Sequence, residues 1–281
     1  MLSTLRSRAG AIAALAALTF GASACALSGG GPATGPDTLA KIKKAGVLIA
    51  GTKYDAVVWG SVPQGKDSPE GFDIDVGNEL ARRMGVRLET RPVTSANRIA
   101  NLQTSKIDIV LASMVHTQER DKTIDFSINY FEETQKLLVL DGSPYKKIPD
   151  LAHKKLVVAQ GSIQEKLAKK ICATCSVLSV AKWTDTMQAL KAHQADAIFA
   201  TGGTVGGSKK ALDRSGTPTR VIGPEGLLPL PYGIGVRQGD SNLRDLINRE
   251  LMAMQRDGTY HRLVKKWWDD HPFTIDTWPE K

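Results

Sequence analysis

Past residue 45 the apolar positions follow two rhythms that alternate along the chain. Residues 47–51 form a short apolar run bounded by glycines, which predicts a buried strand. Phe72, Val76, Leu80 and Met84 then recur at steps of four, the period of one helix face, and Gly85 supplies the stop. Residues 86–90 read as a second strand, 96–103 as a helix capped by Thr94 or Ser95, and 107–114 as a third strand. The order β-α-β-α-β argues for a parallel sheet. A second unit follows the apolar run 135–140 and the turn cluster Asp141-Gly142-Ser143-Pro144, where the chain would leave its first lobe. Strands are expected there at 156–159, 176–180 and 197–200, with helices at 164–170 and 186–193 between them. Residues 232–236 would carry the chain back, and 242–268 would end it as helices on the first lobe.

With 281 residues the chain has room for one large domain or two lobes. Its start stands outside either. Arg6 and Arg8 precede an apolar stretch at 9–20, and Ala22-Ser23-Ala24 offers small residues for cleavage, so 1–24 reads as a secretory signal peptide. The apolar stretch is too short to span a bilayer. The next residue is Cys25, and 25–37 is a tether rich in Gly, Ser, Ala and Pro, which favours a lipoprotein with Cys25 lipidated over a freely secreted form. Losing Arg6 and Arg8 takes the formal charge from +8 down by two, to +6. The remaining basic residues are interspersed with acidic ones instead of clustering with aromatics, which argues against a nucleic-acid partner.

Cys172 and Cys175 stand as C-x-x-C in KKICATCSV. Outside the cytoplasm such a pair is expected as a short-loop disulfide. Zinc would need two more soft ligands, and none stands at ligand spacing; a thioredoxin-like redox motif would open a helix, whereas this pair follows one. No metal or cofactor is implied.

Three phrases say more than their periodicity: GFDIDVGNELARRMG, KIDIVLASMVHTQER and DFSINY. In this order and spacing they resemble the extracytoplasmic solute-binding proteins of ABC importers, family 3, the polar amino-acid branch. The resemblance runs from about Thr38 to His271. It implies a two-lobe, periplasmic-binding-protein-like (type II) α/β fold with parallel-rich sheets and a two-stranded hinge, lobe 1 being 38–139 plus 236–281 and lobe 2 being 140–235. It also implies capture of a solute between the lobes without covalent chemistry, and delivery to an ABC permease and ATPase complex. The protein would be an extracytoplasmic monomer held at the membrane by its lipid anchor. DGTYHRLVKKWW resembles the family's terminal helix; adjacent residues on a helix point about 100° apart, so Trp267 and Trp268 read as packing residues. Two rivals come from other classes. An enzyme like the cyclohexadienyl dehydratases of this fold would need a positioned acid, and a sensing module would need a membrane partner.

The resemblance also assigns roles at individual positions. Arg120, closing a T-x-x-R, falls where the family holds the carboxylate of a bound amino acid, a task suited to the planar, bidentate guanidinium. Ala112, Ser113 and Val115 fall where the family supplies backbone groups and a hydroxyl, and Val115 lacks that hydroxyl. Gln160-Gly161-Ser162-Ile163 resembles the family's turn before a lobe-two helix, whose N–H groups suit an anion. Thr201 departs most, because the family usually has an aspartate there for the ligand's ammonium. Either Asp55 or Glu132 substitutes, or the ligand is not a standard α-amino acid. Lys53, in GTKYD, and Arg98 fall where acidic side chains are read, so glutamate or aspartate leads as ligand, followed by glutamine or asparagine, with a dicarboxylate or modified amino acid third. Tyr54 and Trp59 flank Ala56, the family's aromatic lid position. The pairs Gly202-Gly203 and Gly206-Gly207 lack the spacing of a phosphate loop.

Overall fold

The computed structural model describes residues 37–223 and 229–268. The expected signal peptide, Cys25 and the tether as far as residue 36 lie outside the described residues. Lobe 1 runs through α1 (Thr38–Ala45), β1 (Val47–Thr52), a small hairpin of β2 (Asp55–Ala56) and β3 (Gly60–Ser61), α2 (Phe72–Met84), β4 (Arg87–Pro92), α3 (Arg98–Gln103), β5 (Ile109–Val110) and the long β6 (Ile124–Glu133). Lobe 2 contains β7 (Gln135–Leu140), β8 (Lys155–Ala159), α4 (Ile163–Ile171), β9 (Ser176–Val180), α5 (Trp183–Lys191), β10 (Ala197–Thr201), α6 (Gly202–Arg214) and β11 (Thr219–Ile222). Strand β12 (Leu230–Arg237) returns to the first sheet, and α7 (Ser241–Arg256) and α8 (Thr259–Trp267) pack on that lobe.

Each lobe is built on a five-stranded mixed sheet, ordered β4-β1-β5-β12-β6 in lobe 1 and β11-β7-β10-β8-β9 in lobe 2. β1 is parallel to β4 and β5, and β8 is parallel to β9 and β10, as the alternating pattern predicts. The chain crosses between sheets after β6 and again before β12, giving the hinge two connections. Sheet membership shifts the crossings from where the turn cluster suggested. Gln135–Leu140 pairs with β10 and β11 in the second sheet, and all of β12 pairs in the first. The crossing therefore falls at Thr134, because a continuous apolar run does not reveal which sheet it joins.

The periodic face of α2 is buried as expected, with Phe72, Val76, Leu80 and Met84 at most 3% exposed. Burying each such side chain stabilises the fold by about 1.5–3 kcal/mol. Gly85 ends the helix in the left-handed conformation, φ 68°, with its N–H on the carbonyls of Ala81 and Arg82. Around the hinge, Trp59, Phe72, Phe131, Tyr232 and Trp268 form an aromatic cluster; Trp59 meets Phe131 edge-on at 4.9 Å and Trp268 at 5.2 Å between centroids. Trp268 thus packs, as read from the sequence, while the Trp267 indole donates to Asp75 at 2.7 Å. Cys172 and Cys175 are joined by a disulfide between the end of α4 and the turn into β9.

The strand expected over 107–114 is only Ile109–Val110 in the structure. It stops where Ser113 turns into the left-handed region, φ 43°, and gives its N–H to the Asp73 carboxylate at 2.7 Å. A pattern of apolar residues cannot register that turn, since Leu111, Ala112 and Met114 are buried whether or not they are in a strand.

Candidate functional site

The lobes meet over a small enclosed cavity of about 20 Å3. Of the residues singled out above, Arg98, Ser113, Val115, Ser162, Ile163 and Thr201 line it. Arg120 lies in an outer groove of about 460 Å3, which Ser162 and Ile163 also border. Tyr54 lines a separate groove of about 420 Å3 with Asp55, Thr94 and Lys182, its hydroxyl bonded to Thr90. Trp59, expected near the ligand, is fully buried in the aromatic cluster and does not line the cavity.

The cations converge from lobe 1. The Arg98 guanidinium, on the first turn of α3, donates to the Ala112 carbonyl at 2.7 Å, and its Nε is buried without a partner. Burial and the neighbouring Arg120 pull its pKa down to about 9. Behind it, Lys53 is 1% exposed and donates to Ser95 Oγ at 2.9 Å. Burial, reinforced by Arg98, pulls the Lys53 ammonium down to about 7. Arg120 is half-buried, with one nitrogen on the Val115 carbonyl at 2.5 Å and another 3.4 Å from the Gly161 carbonyl of lobe 2. That approach needs glycine. Gly161 has φ 72°, and a β-carbon on it would stand 2.6 Å from Ala96 Cα across the cleft.

Lobe 2 supplies neutral groups. Ser162, at the amino terminus of α4, has a buried hydroxyl with no partner, and Gln164 donates to Gln135 at 2.6 Å. Thr201 accepts from the Tyr232 hydroxyl at 2.9 Å and reaches Thr204 at 3.2 Å, a chain of hydroxyls where the family's aspartate would be. Among the described residues no carboxylate lines the cavity.

Neither of the two acids expected to substitute lines the cavity. Asp55 accepts the Trp183 N–H at 2.7 Å, tying the β2–β3 hairpin to the start of α5, and Glu132 is half-buried on β6. The buried acid is its neighbour Glu133, which accepts the Gly203 N–H at 2.8 Å and whose carboxyl burial raises to about 8. The sequence reading also missed Asp73, which is fully buried, accepts from Tyr130 at 2.8 Å and from Ser113, and is pushed up to about 7 by burial. Nothing local marked it, because Asp75 in the same phrase also stands between apolar neighbours, Ile74 and Val76, yet is only partly buried.

If an anion enters beside Lys53, the sign of the pH dependence is set. The free protein holds Lys53 with a pKa near 7, an anion favours its charged form, and binding above that pH therefore takes up a proton. Titration calorimetry at pH 8 in buffers of different ionisation enthalpy should show uptake approaching one proton. Affinity should weaken as pH rises through the free-state value, and Lys53→Gln should abolish both effects. A proton count of zero would place the ligand's charge elsewhere.

The family model for bacterial extracellular solute-binding proteins, family 3, matches residues 48–270. The ABC transporter glutamine-binding protein GlnH of Bacillus subtilis is 33% identical over 243 residues, covering 84% of this chain and 86% of the relative. Among solved structures, an ancestral arginine-binding protein bound to glutamine superposes with a TM-score of 0.75 at 34% identity, covering 80% of this chain and 99% of that one. The ancestral amino acid-binding protein AncCDT-1, a precursor of cyclohexadienyl dehydratase, superposes with a TM-score of 0.74 at 30% identity, covering 82% and 99%. With the three phrases, the two mixed sheets and the cleft between them, these likenesses establish that the chain belongs to the bacterial extracellular solute-binding proteins, family 3.

Proposed function

We propose that this protein captures an acidic amino acid, glutamate or aspartate, for an ABC importer, and hands it to the permease and ATPase complex as a monomer lipid-anchored through Cys25. One observation supports the ligand class above the others. Arg98 lines a cavity with no carboxylate on its wall, Lys53 is buried behind it and Arg120 borders the adjoining groove, so the cations outnumber the one buried acid beside them, Asp73, and such an excess is costly to enclose. A ligand with two carboxylates and one ammonium offsets that excess. The hydroxyls of Thr201, Thr204 and Tyr232 are acceptors for the ammonium.

A second reading has its own support. GlnH, at 33% identity, is a glutamine-binding protein, and a neutral amide ligand needs no full positive charge from Lys53, whose pKa burial lowers to about 7. Thermal unfolding with glutamate, aspartate, glutamine, asparagine and their dicarboxylate analogues separates the readings. A ligand at 100 times its Kd adds about 2.7 kcal/mol, a readily visible shift. Glutamate or aspartate should give the largest shift. Stabilisation by glutamine alone would replace the acidic reading with the amide one, and stabilisation by a dicarboxylate alone would make Thr201 the deciding position.

A further inference from the structure

The glycine pairs that do not form a phosphate loop have another use in the fold. All four lie in the first half of α6, in lobe 2. Gly203 and Gly207 stand four residues apart and share one buried face, whereas Gly206 is exposed. A β-carbon at Gly207 would stand 2.8 Å from Val57 Cβ and 2.9 Å from the Val57 carbonyl oxygen. One at Gly203 would stand 3.0 Å from Trp59 Cζ2 and 3.0 Å from Glu133 Oε1. One at Gly206 would meet nothing within 4 Å.

Val57 and Trp59 belong to the tip of the β2–β3 hairpin in lobe 1. That tip is firmly held. Phe72 and Asp73 donate their N–H groups to the carbonyls of Val58 and Trp59 at 2.8 and 3.0 Å, and Val58, although β-branched, keeps φ at 68°. Two fully buried polar atoms without partners, Trp59 Nε1 and Glu133 Oε1, face Gly203. Alongside, the hairpin's Asp55 accepts the Trp183 N–H of lobe 2. The lobe-1 hairpin is thus seated directly on bare helix backbone.

We propose that Gly203 and Gly207 are positioning residues for ligand capture: they let lobe 2 close fully onto the 57–59 segment, and the depth of that seat sets the affinity. The inference rests on solute capture between the lobes, and does not depend on which solute is captured. The contact at Gly207 is with backbone, which cannot move aside, whereas the contacts at Gly203 are with side-chain atoms that have some freedom to give.

The test titrates the full chain calorimetrically with whichever amino acid or dicarboxylate stabilises the wild type most. Gly207→Ala should weaken binding by about tenfold or more, Gly203→Ala by less, and Gly206→Ala by no measurable amount. At saturating ligand, small-angle scattering should find Gly207→Ala less compact than the wild type. The ligand-free melts of Gly203→Ala and Gly207→Ala should stay close to wild type, because the obstruction lies between lobes and not within one. Wild-type affinity in Gly207→Ala, equal losses in all three variants, or a lowered ligand-free melt in Gly207→Ala would each overturn the proposal. Replacing glutamate by glutamine as the best ligand would change the titrant and overturn the acidic reading, while leaving the order of the variants intact.

Discussion

Arg120→Ala is expected to reduce ligand affinity by about a hundredfold or more, with the ligand-free melt within a few degrees of wild type. The side chain is half-buried in the outer groove and, among the described residues, bonds two carbonyls, those of Val115 and Gly161, so little of the fold depends on it. Burial holds its pKa below the usual arginine value against the opposing effect of Glu119 in the same groove, which marks a cation kept partly from water. A carboxylate arriving there gains two parallel charge-assisted bonds, and Arg120→Lys should restore only part of the loss because an ammonium cannot make that pair. The measurement is titration calorimetry with both variants and with Arg98→Ala. Arg98 is the guanidinium that lines the enclosed cavity, so unchanged affinity in Arg120→Ala with a large loss in Arg98→Ala would transfer the carboxylate-holding role to Arg98.

Asp73→Ala should cost about 3 kcal/mol of stability, or about 6–12 °C in Tm for a domain of this size, whatever the ligand. It would leave the Tyr130 hydroxyl and the Ser113 N–H without an acceptor in a buried site, and would remove an acid that offsets Lys53 and Arg98. Asp73→Asn keeps an acceptor and should lose about half as much. The sign of its pH dependence follows from the raised pKa. Asp73 titrates near 7 when folded and near 3.8 when unfolded, so the folded state holds the extra proton between those values and stability from this group falls as pH rises through that window. Comparing wild-type and Asp73→Asn melts across pH 4–8 should show that slope removed in the variant. Identical slopes would mean that another buried acid, Glu133 first, carries it.

The sequence made the two-unit organisation legible because α2 and the buried strands obey their periods closely, and Gly85 stops α2 where its apolar face ends. The position of Arg120 was legible because it closes one of the three phrases, and the structure puts Arg98 on the cavity wall and Arg120 in the outer groove, whereas Lys53 lies buried behind Ser95 and lines neither. Asp73 and Glu133 were hidden, since a carboxylate in a mixed polar and apolar stretch looks the same whether it faces water or the core, and only the burial of its neighbours decides. Tyr232 was hidden by distance: it reaches Thr201 from the returning strand, and nothing in either local pattern links the two. Trp59 went the other way, its position beside the lid residue suggesting a ligand contact that the aromatic cluster claims instead. Contacts between lobes, such as Gly207 against Val57, require both surfaces to be in place and are absent from any local reading.

Lys53, Arg98 and Arg120 are all on lobe 1, while lobe 2 faces them with hydroxyls, amides and a helix terminus, its cation in the outer groove, Lys166, being paired with Glu119 of lobe 1. That division assigns the two halves of the molecule to different rate constants. Long-range attraction of an anion acts before any contact, so the association rate and its sensitivity to ionic strength belong to lobe 1. Short-range hydrogen bonds act only once the second wall has swung in, so residence time belongs to lobe 2. For the anionic ligand proposed above, this division predicts docking on lobe 1 before lobe 2 covers it, so an exchange of lobe-2 residues should retune how long the cargo is held without changing how fast it is found.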